Sequence, residues 1–344
     1  MKTNAFGLDI GTTTTKVVWL DREDDRITYT NSLTVPTPAQ GVQSESPFDQ
    51  QEMAQVINKL VIDAKITTNN VNIALPENHA FTKVIEMPVL SDSELSSAIY
   101  WEAEQYIPMP LDTVTLAWSK LRNLKSTLAE EKMQVLLVAA PKELIKRYQT
   151  ILDIAGLSIV SVETEILSVI RSVLSAKNAP TSLVANIGTM STTLGIVQNG
   201  LLVFNYSVPL GGAALTRAIA SDFGLQVNQA EEYKRVYGLS DKNFGGKVGQ
   251  AIQPILTSLL TEVKKAMTFY TEKYANESPI SQVLLTGGGS SLPGLGVYFA
   301  QNIGVEAVTA NPWNMLNIQN VPKDVEVRGP EYAVAIGLAL KEDE

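Results

Sequence analysis

Residues 6–20 read FGLDIGTTTTKVVWL, and they are the first informative segment of the chain. Its apolar start, glycine turn at Gly11 and β-branched return predict a β-hairpin. A glycine followed by small hydroxyl residues can present several backbone N–H groups and hydroxyls to one anion. Lys16 follows at a position where its ammonium could reach that anion. Asp9 precedes the turn, where a carboxylate can hold a hydrated Mg²⁺. The hairpin is therefore predicted to form one wall of an anion site.

The same pattern recurs near half-length. Residues 182–197 read SLVANIGTMSTTLGIV, so that residues 10–12 (IGT) align with residues 187–189 (IGT). A three-residue match is common by chance, but a match in the same strand–turn–strand context indicates two domains of one ancestry. Two such hairpins facing each other across a cleft would hold a triphosphate from both sides. For either hairpin alone, an ordinary threonine-rich turn is an equally good interpretation.

A third segment extends the pattern. Residues 282–292 read QVLLTGGGSSL, a buried strand that runs into a triple glycine, and the amphipathic residues 295–303 predict a helix after it. Three glycines let the backbone approach a flat ligand or a phosphate closely. A triple glycine alone is also typical of a flexible turn. Two hairpins followed by strand, glycines and helix, in that order, indicate a nucleotide site.

Composition excludes several other functions. The 344 residues are 45% apolar, enough for a sizeable core, and the length suggests two domains. The 27 basic and 36 acidic side chains give a net charge of −9, which disfavours nucleic acid and would suit a basic peptide. The chain has no cysteine and one histidine, His79, which excludes thiolate chemistry and argues against a zinc site or a Ser-His triad. No signal peptide or spanning segment is predicted, so a cytoplasmic protein is expected.

Residues 87–122 predict an interruption of the first domain. The motif at residues 91–94 is a capping box that opens a helix, and Pro108 ends it. Glu102 falls within the apolar face of that helix, whereas Trp101 points elsewhere. A carboxylate in an apolar stripe is either paired internally or available to a partner. The residues that form the apolar face are Leu95, Ala98, Ile99, Ala103 and Tyr106.

The order of these motifs resembles the actin/Hsp70/sugar-kinase superfamily, in which a nucleotide lies between two duplicated domains. The whole chain further resembles the PilM family of type IV pilus assembly proteins, which are relatives of FtsA. Further stretches that carry the narrower resemblance are residues 101–108, 208–216, 230–235, 292–295 and 311–312. The resemblance implies an α/β, actin-like fold: duplicated ribonuclease-H-like domains around a nucleotide cleft, with an FtsA/PilM-type 1C insertion.

This resemblance also implies boundaries. We expect domain I in two parts, an inserted 1C-like subdomain, domain II (2A/2B), and a terminal helix and tail. In chain order these are residues 1–86 (domain I, first part), 87–140 (insertion), 141–181 (domain I, second part), 182–330 (domain II) and 331–344 (helix and tail).

By the same resemblance, the cleft would bind ATP or ADP with Mg²⁺. Asp9 would hold the metal through water, and Lys16 would contact phosphate oxygens. Glu165 matches a position that could orient the attacking water, although a solvated carboxylate at a helix start is an equal alternative. Asn186 stands where the family usually has Asp, so slow or absent hydrolysis is expected. The other expected nucleotide contacts are Gly11, Thr12, Thr13, Thr14, Gly188, Thr189, Met190, Ser191, Gly211, Gly212, Glu231, Lys234, Gly287, Gly288 and Gly289.

The PilM resemblance finally implies a partner. A groove beside the inserted subdomain would take the cytoplasmic N-terminal tail of a PilN-like bitopic membrane protein, with Trp101 and Glu102 as contact residues. That partner would place a scaffold of the pilus machine at the inner face of the cytoplasmic membrane; self-association is left open. The alternatives are an FtsA-like filament protein, a small-molecule kinase and a chaperone. An FtsA-like protein would need a C-terminal amphipathic membrane helix, which residues 341–344 do not provide.

Overall fold

The computed structural model describes residues 4–23, 26–124, 131–174, 179–240 and 245–342. Its first sheet is built around the predicted N-terminal hairpin, which is confirmed. The central strand is buried along its whole length, because neighbouring strands flank it and helices cover its two faces. In spatial order the strands are β3 (Arg26–Pro36), β2 (Thr14–Glu23), β1 (Phe6–Ile10), β4 (Asn70–Leu75) and β8 (Ser158–Thr164).

A second five-stranded sheet repeats this architecture. In both sheets the hairpin continues into a third antiparallel strand, and two parallel strands follow on the other side. The sequence repeat therefore corresponds to a repeated topology. The strands of the second sheet are β11 (Leu201–Val208), β10 (Thr192–Gln198), β9 (Ser182–Ile187), β12 (Gln282–Thr286) and β13 (Glu306–Thr309).

Helices cover the sheets. The described helices are α1 (Pro47–Asp63), α2 (Asp92–Tyr106), α3 (Lys142–Ile154), α4 (Glu165–Val173), α5 (Gly212–Phe223), α6 (Val227–Tyr237), α7 (Lys247–Lys273), α8 (Leu295–Ile303), α9 (Pro312–Met315), α10 (Lys323–Glu326) and α11 (Ala333–Ala339). Within the described part of the chain, no helix combines the length and apolar character needed to cross a membrane.

A core cluster between the two sheets joins the halves of the molecule. It contains Ile166 and Val169 of α4, Val184 of β9, Leu284 of β12 and Ala333 of α11. Since α4 follows β8 of the first sheet and packs on strands of the second, the residue at its start lies between the halves. Burial of apolar surface stabilises the folded state by about 25 cal/mol per Å². The shared cluster therefore holds the two halves together.

A separate three-stranded sheet lies between β4 and α3 in the chain. Its strands are β5 (Phe81–Pro88), β7 (Lys132–Pro141) and β6 (Val114–Leu124), in that spatial order, and α2 packs on it. The predicted capping box is confirmed, because the Glu94 carboxylate accepts from the Ser91 N–H at 2.9 Å and the Glu94 N–H donates back to Ser91 Oγ. The buried Gln134 amide donates to the Tyr274 hydroxyl at 3.2 Å, so this sheet also contacts the second half.

Candidate functional site

The two glycine turns meet between the halves. In each turn the glycine N–H donates to the carbonyl three residues on: Gly11 to Thr14 at 3.1 Å and Gly188 to Ser191 at 2.9 Å. The hydroxyl oxygens of Thr13 and Thr189 lie 2.9 Å apart and share a hydrogen bond. Two residues that are 176 positions apart in the chain thus lie at the opposite edges of one cleft.

A buried ion pair lies behind the first turn. Asp9 is the next-to-last residue of β1 and faces Lys16 across the β1–β2 ladder, and Lys16 Nζ donates to Asp9 Oδ2 at 3.3 Å. Both side chains are buried. An ammonium has three donors, and Asp9 is the one acceptor that the described residues give to this ammonium. Two of its donors therefore have no acceptor among the described residues.

Helix α5 begins directly on the second turn. The N–H of Gly212 donates to the Gly188 carbonyl and the N–H of Ala213 donates to the Thr189 carbonyl, both at 2.9 Å. A Cβ at Gly211 would lie 2.5 Å from the Thr189 oxygen, so only glycine permits this approach. The predicted residues Gly211 and Gly212 are therefore brought together with the second turn.

Glu231 and Lys234 of α6 lie beside the first turns of α5. Lys234 Nζ donates to the Gly212 carbonyl at 3.2 Å, to the Thr216 hydroxyl at 2.9 Å and to Glu231 at 2.6 Å. Burial opposes ionisation of Glu231, but the hydrogen bonds from Lys234 and Thr216 outweigh it and lower the pKa of the carboxyl. These side chains hold α6 against α5; their contact with a nucleotide stays a prediction.

The triple glycine lies beside the second turn. Thr286, which precedes it, pairs with Asn186 in the β12–β9 ladder, and Gly287 adopts a positive φ of 80°. A Cβ at Gly287 would lie 2.6 Å from the Asn186 side-chain oxygen, whereas a Cβ at Gly288 would meet no atom within 4 Å. Gly289 packs on Ile187. Gly288 is thus the glycine with open space, and Met190 of the second turn is half exposed.

Glu165 borders a cavity of about 120 Å³ at the foot of the first turn. It is the first residue of α4 and remains partly open to the cavity. Removal from water, then the nearby carboxylates Asp9 and Glu77, raise the pKa of Glu165 to about 8, and Lys16 opposes them. The lining residues are Ile10, Gly11, Thr12, Thr37, Pro38, Ala39, Gln40, Gly41, Val42, Gln43, Pro76, Asn78, His79, Tyr148 and Glu165.

Glu77 is a site residue that the sequence reasoning missed. Its carboxylate accepts from the backbone N–H of Ile166 at 3.2 Å, and burial raises its pKa. It thereby fixes the start of α4 and so the position of Glu165. The available signal was a carboxylate two residues after the buried strand β4, at the edge where ligands bind in open α/β sheets.

The raised pKa of Glu165 predicts a pH effect on stability. Below pH 4.5 the carboxyl is protonated in the folded and unfolded states, and its stabilising effect is lost as the pH rises through about 8. We expect Glu165→Gln to lose less stability than wild type between about pH 5 and pH 8.5, by up to about 4 kcal/mol, because each pH unit between the two pKa values contributes about 1.4 kcal/mol. Urea denaturation of the nucleotide-free protein at both pH values measures the difference. Equal losses in the two proteins would contradict the raised pKa.

A magnesium ion here would depend on few protein ligands. Among the residues that the structure describes, no three His, Cys, Asp or Glu side chains are grouped to hold a metal. Magnesium keeps several waters and is commonly held by one or two carboxylates plus substrate phosphates. Asp9, at the end of β1 beside the two turns, fits that arrangement.

The predicted partner residues lie on α2, in the three-stranded unit. Trp101 is 75% exposed. Glu102 is half-buried beside Ala103, which packs into the core of that unit. The helix therefore presents a large aromatic ring to solvent next to a half-buried carboxylate, and their role in partner binding stays a prediction.

The repeated sheets and the cleft between their turns define an actin-like protein. Cell division protein FtsA of Bacillus subtilis (strain 168) is 23% identical over 376 aligned residues, with 96% of this chain and 81% of FtsA covered. MreB5 of Spiroplasma citri bound to ADP is a solved structure with 12% identity and a TM-score of 0.51, with 96% of this chain and 94% of that chain covered.

A narrower relationship is shown by the family comparison. The model of the family described as type IV pilus assembly protein PilM matches residues 7–343. The chain belongs to the PilM family of type IV pilus assembly proteins. A solved structure described as the PilM-PilN type IV pilus biogenesis complex is 28% identical, with a TM-score of 0.83 and 98% of each chain covered.

Proposed function

We propose that this chain is a nucleotide-binding scaffold of type IV pilus assembly that holds ATP or ADP with Mg²⁺ between its two halves. The observation that carries the proposal is the meeting of the two glycine turns at Thr13 and Thr189, with the buried Lys16 behind one of them. The turns provide backbone N–H groups and hydroxyls, and the buried Lys16 adds a positive charge where charge interactions are stronger than in bulk water. The MreB5 structures bound to ADP and to AMPPNP share the fold and support this choice of ligand.

Slow or absent hydrolysis follows from two residues. Asn186 places a neutral amide where a carboxylate would polarise water or metal, beside Gly287. Glu165, with a pKa of about 8 in the nucleotide-free protein, is mostly protonated at neutral pH and cannot then accept a proton from water. The scaffold would accordingly release most of its bound ATP before hydrolysing it.

Calorimetric titration of the full chain with Mg·ATP and Mg·ADP tests the site directly. Saturable binding of one nucleotide per chain is expected, together with single-turnover hydrolysis that is slow compared with nucleotide release. Absence of saturable binding would overturn the nucleotide site. Rapid hydrolysis by the wild-type protein would overturn the role assigned to Asn186 while leaving binding intact.

We further propose that the three-stranded unit with α2 binds the cytoplasmic N-terminal tail of a PilN-like membrane protein. Support comes from the relative described as a PilM-PilN complex and from the exposed Trp101 beside Glu102. An aromatic ring anchors an apolar peptide, and the carboxylate and the net charge of −9 favour basic residues in that peptide. Such a partner would hold the protein at the inner face of the cytoplasmic membrane.

Trp101→Ala is expected to weaken binding of a synthetic apolar, basic tail peptide about 30-fold, as loss of an aromatic hot spot does. Fluorescence anisotropy of the labelled peptide gives the affinity. Phe48→Ala is the matched control, since Phe48 is equally exposed (77%) but lies on α1. Glu102→Ala is expected to make the affinity for the peptide depend less on salt concentration. Unchanged affinity in both α2 variants would place the tail elsewhere.

A further inference from the structure

The hydroxyl of Tyr148 is buried without a protein partner. Tyr148 lies on α3 and is 1% exposed, and no described residue accepts from or donates to its oxygen. A buried hydroxyl without a hydrogen bond costs about 1–3 kcal/mol, so such groups are normally satisfied by protein or by ordered water. Its position therefore needs a reason other than packing, because phenylalanine would fill the same volume.

The cavity beside Glu165 supplies that reason. Tyr148 lines it together with Glu165 and with Gly11 and Thr12 of the first turn. Its volume of about 120 Å³ is enough for several waters, and a buried water is stable where it makes two to four hydrogen bonds. Gln43 and His79 also line the space. The lining of the cavity is part polar and part apolar, and the space is large enough to hold water that both Tyr148 and Glu165 border.

The phenol acts only as a neutral group in this environment. Burial, then the carboxylates of Glu165 and Asp9, raise the pKa of Tyr148. The hydroxyl therefore stays protonated near neutral pH and can donate a hydrogen bond to a water or a carboxylate oxygen.

We propose that Tyr148 is a positioning residue of the nucleotide site, whose hydroxyl holds the Glu165 carboxyl in place through water in this cavity. The inference rests on the proposed nucleotide function, since Glu165 and the first turn belong to that site. Glu77 fixes the backbone start of α4, while Tyr148 fixes the side chain of its first residue. Tyr148 itself touches no phosphate in this scheme, and its effect on the nucleotide site passes through Glu165.

The test compares Tyr148→Phe with wild type in the nucleotide-free full chain. In wild-type crystals we expect a water within hydrogen-bonding distance of both the Tyr148 oxygen and a Glu165 oxygen. In Tyr148→Phe we expect that water to be lost and the Glu165 carboxyl to become disordered or to change rotamer. The ¹³C resonance of the Glu165 carboxyl, assigned with Glu165→Gln, should shift in Tyr148→Phe.

Tyr270→Phe is the matched control. Tyr270 lies on α7 and is equally buried, but its hydroxyl donates to the Ser278 carbonyl beyond the end of that helix, so this variant should leave the Glu165 resonance unchanged. A dry cavity in wild type, or an unchanged Glu165 resonance in Tyr148→Phe, would overturn the inference. Titration of wild type and both variants with Mg·ATP separates the two proposals. If wild type binds Mg·ATP but the Glu165 resonance is unchanged in Tyr148→Phe, only the role of Tyr148 is refuted. If wild type does not bind Mg·ATP, the nucleotide site itself is refuted.

Discussion

Replacing Lys16 by methionine is expected to lower the affinity for Mg·ATP about 100-fold, equivalent to about 2.7 kcal/mol. Two effects add. The variant removes a buried ammonium with free donors beside the two turns, and it leaves the Asp9 carboxylate unpaired where the phosphates would lie. Both make the cleft more repulsive to a triphosphate, and the low local dielectric increases each effect.

The variant also tests stability, because breaking a buried ion pair from one side costs about 3–5 kcal/mol. Circular dichroism must show that Lys16→Met is folded at the titration temperature. A double variant with Asp9→Asn should recover much of the stability but not the affinity. Lys59→Met is the matched control: Lys59 also pairs with an aspartate, Asp63, but on the exposed face of α1. A folded Lys16→Met with wild-type affinity would place the phosphates elsewhere.

Much of this fold was predictable from local sequence. The hairpin at residues 6–20 and its repeat at residues 182–197 are specified by glycine, small hydroxyl residues and β-branched strands. The capping box at residues 91–94 fixed the start of α2, because both partners of the box lie within four residues. The identical strand order of the two sheets followed from the repeat, since duplicated sequences adopt the same topology.

The rest depends on contacts between distant residues. Glu77 reaches the site because β4 and β8 are parallel neighbours, although 89 positions separate it from Ile166. Tyr148 lies on an amphipathic helix, and the sequence of that helix does not indicate that Tyr148 lines a cavity. Gln134 sits inside a run of apolar residues. Its amide finds partners only in the folded protein, where its oxygen accepts from Arg122 of β6 and its nitrogen donates to Tyr274 at the end of α7. The contacts of these three residues can be predicted only once the three-dimensional arrangement of the strands and helices is known.

Replacing Gly337 by alanine is expected to destabilise the protein by about 3 kcal/mol, the upper end of the usual range for overpacking a core. Gly337 lies in α11, where its Cα packs directly on the backbone of α4, and a Cβ would overlap the Ser168 carbonyl oxygen. Backbone cannot move aside as a flexible side chain can, so α11 or α4 must shift. Urea denaturation followed by tryptophan fluorescence measures the loss in free energy of unfolding.

The contrast with Gly296→Ala makes this result specific. Gly296 also lies in a helix, α8, but a Cβ there would be 3.7 Å from its nearest neighbour, the Ala307 carbonyl oxygen, so alanine should be neutral or stabilising by up to about 1 kcal/mol. Since Ser168 is three residues after Glu165 on α4, a displaced α4 would also move Glu165 away from Tyr148. Gly337→Ala should therefore disturb the Glu165 carboxyl resonance as well as stability. Equal stabilities of the two alanine variants would show that α11 does not fix α4.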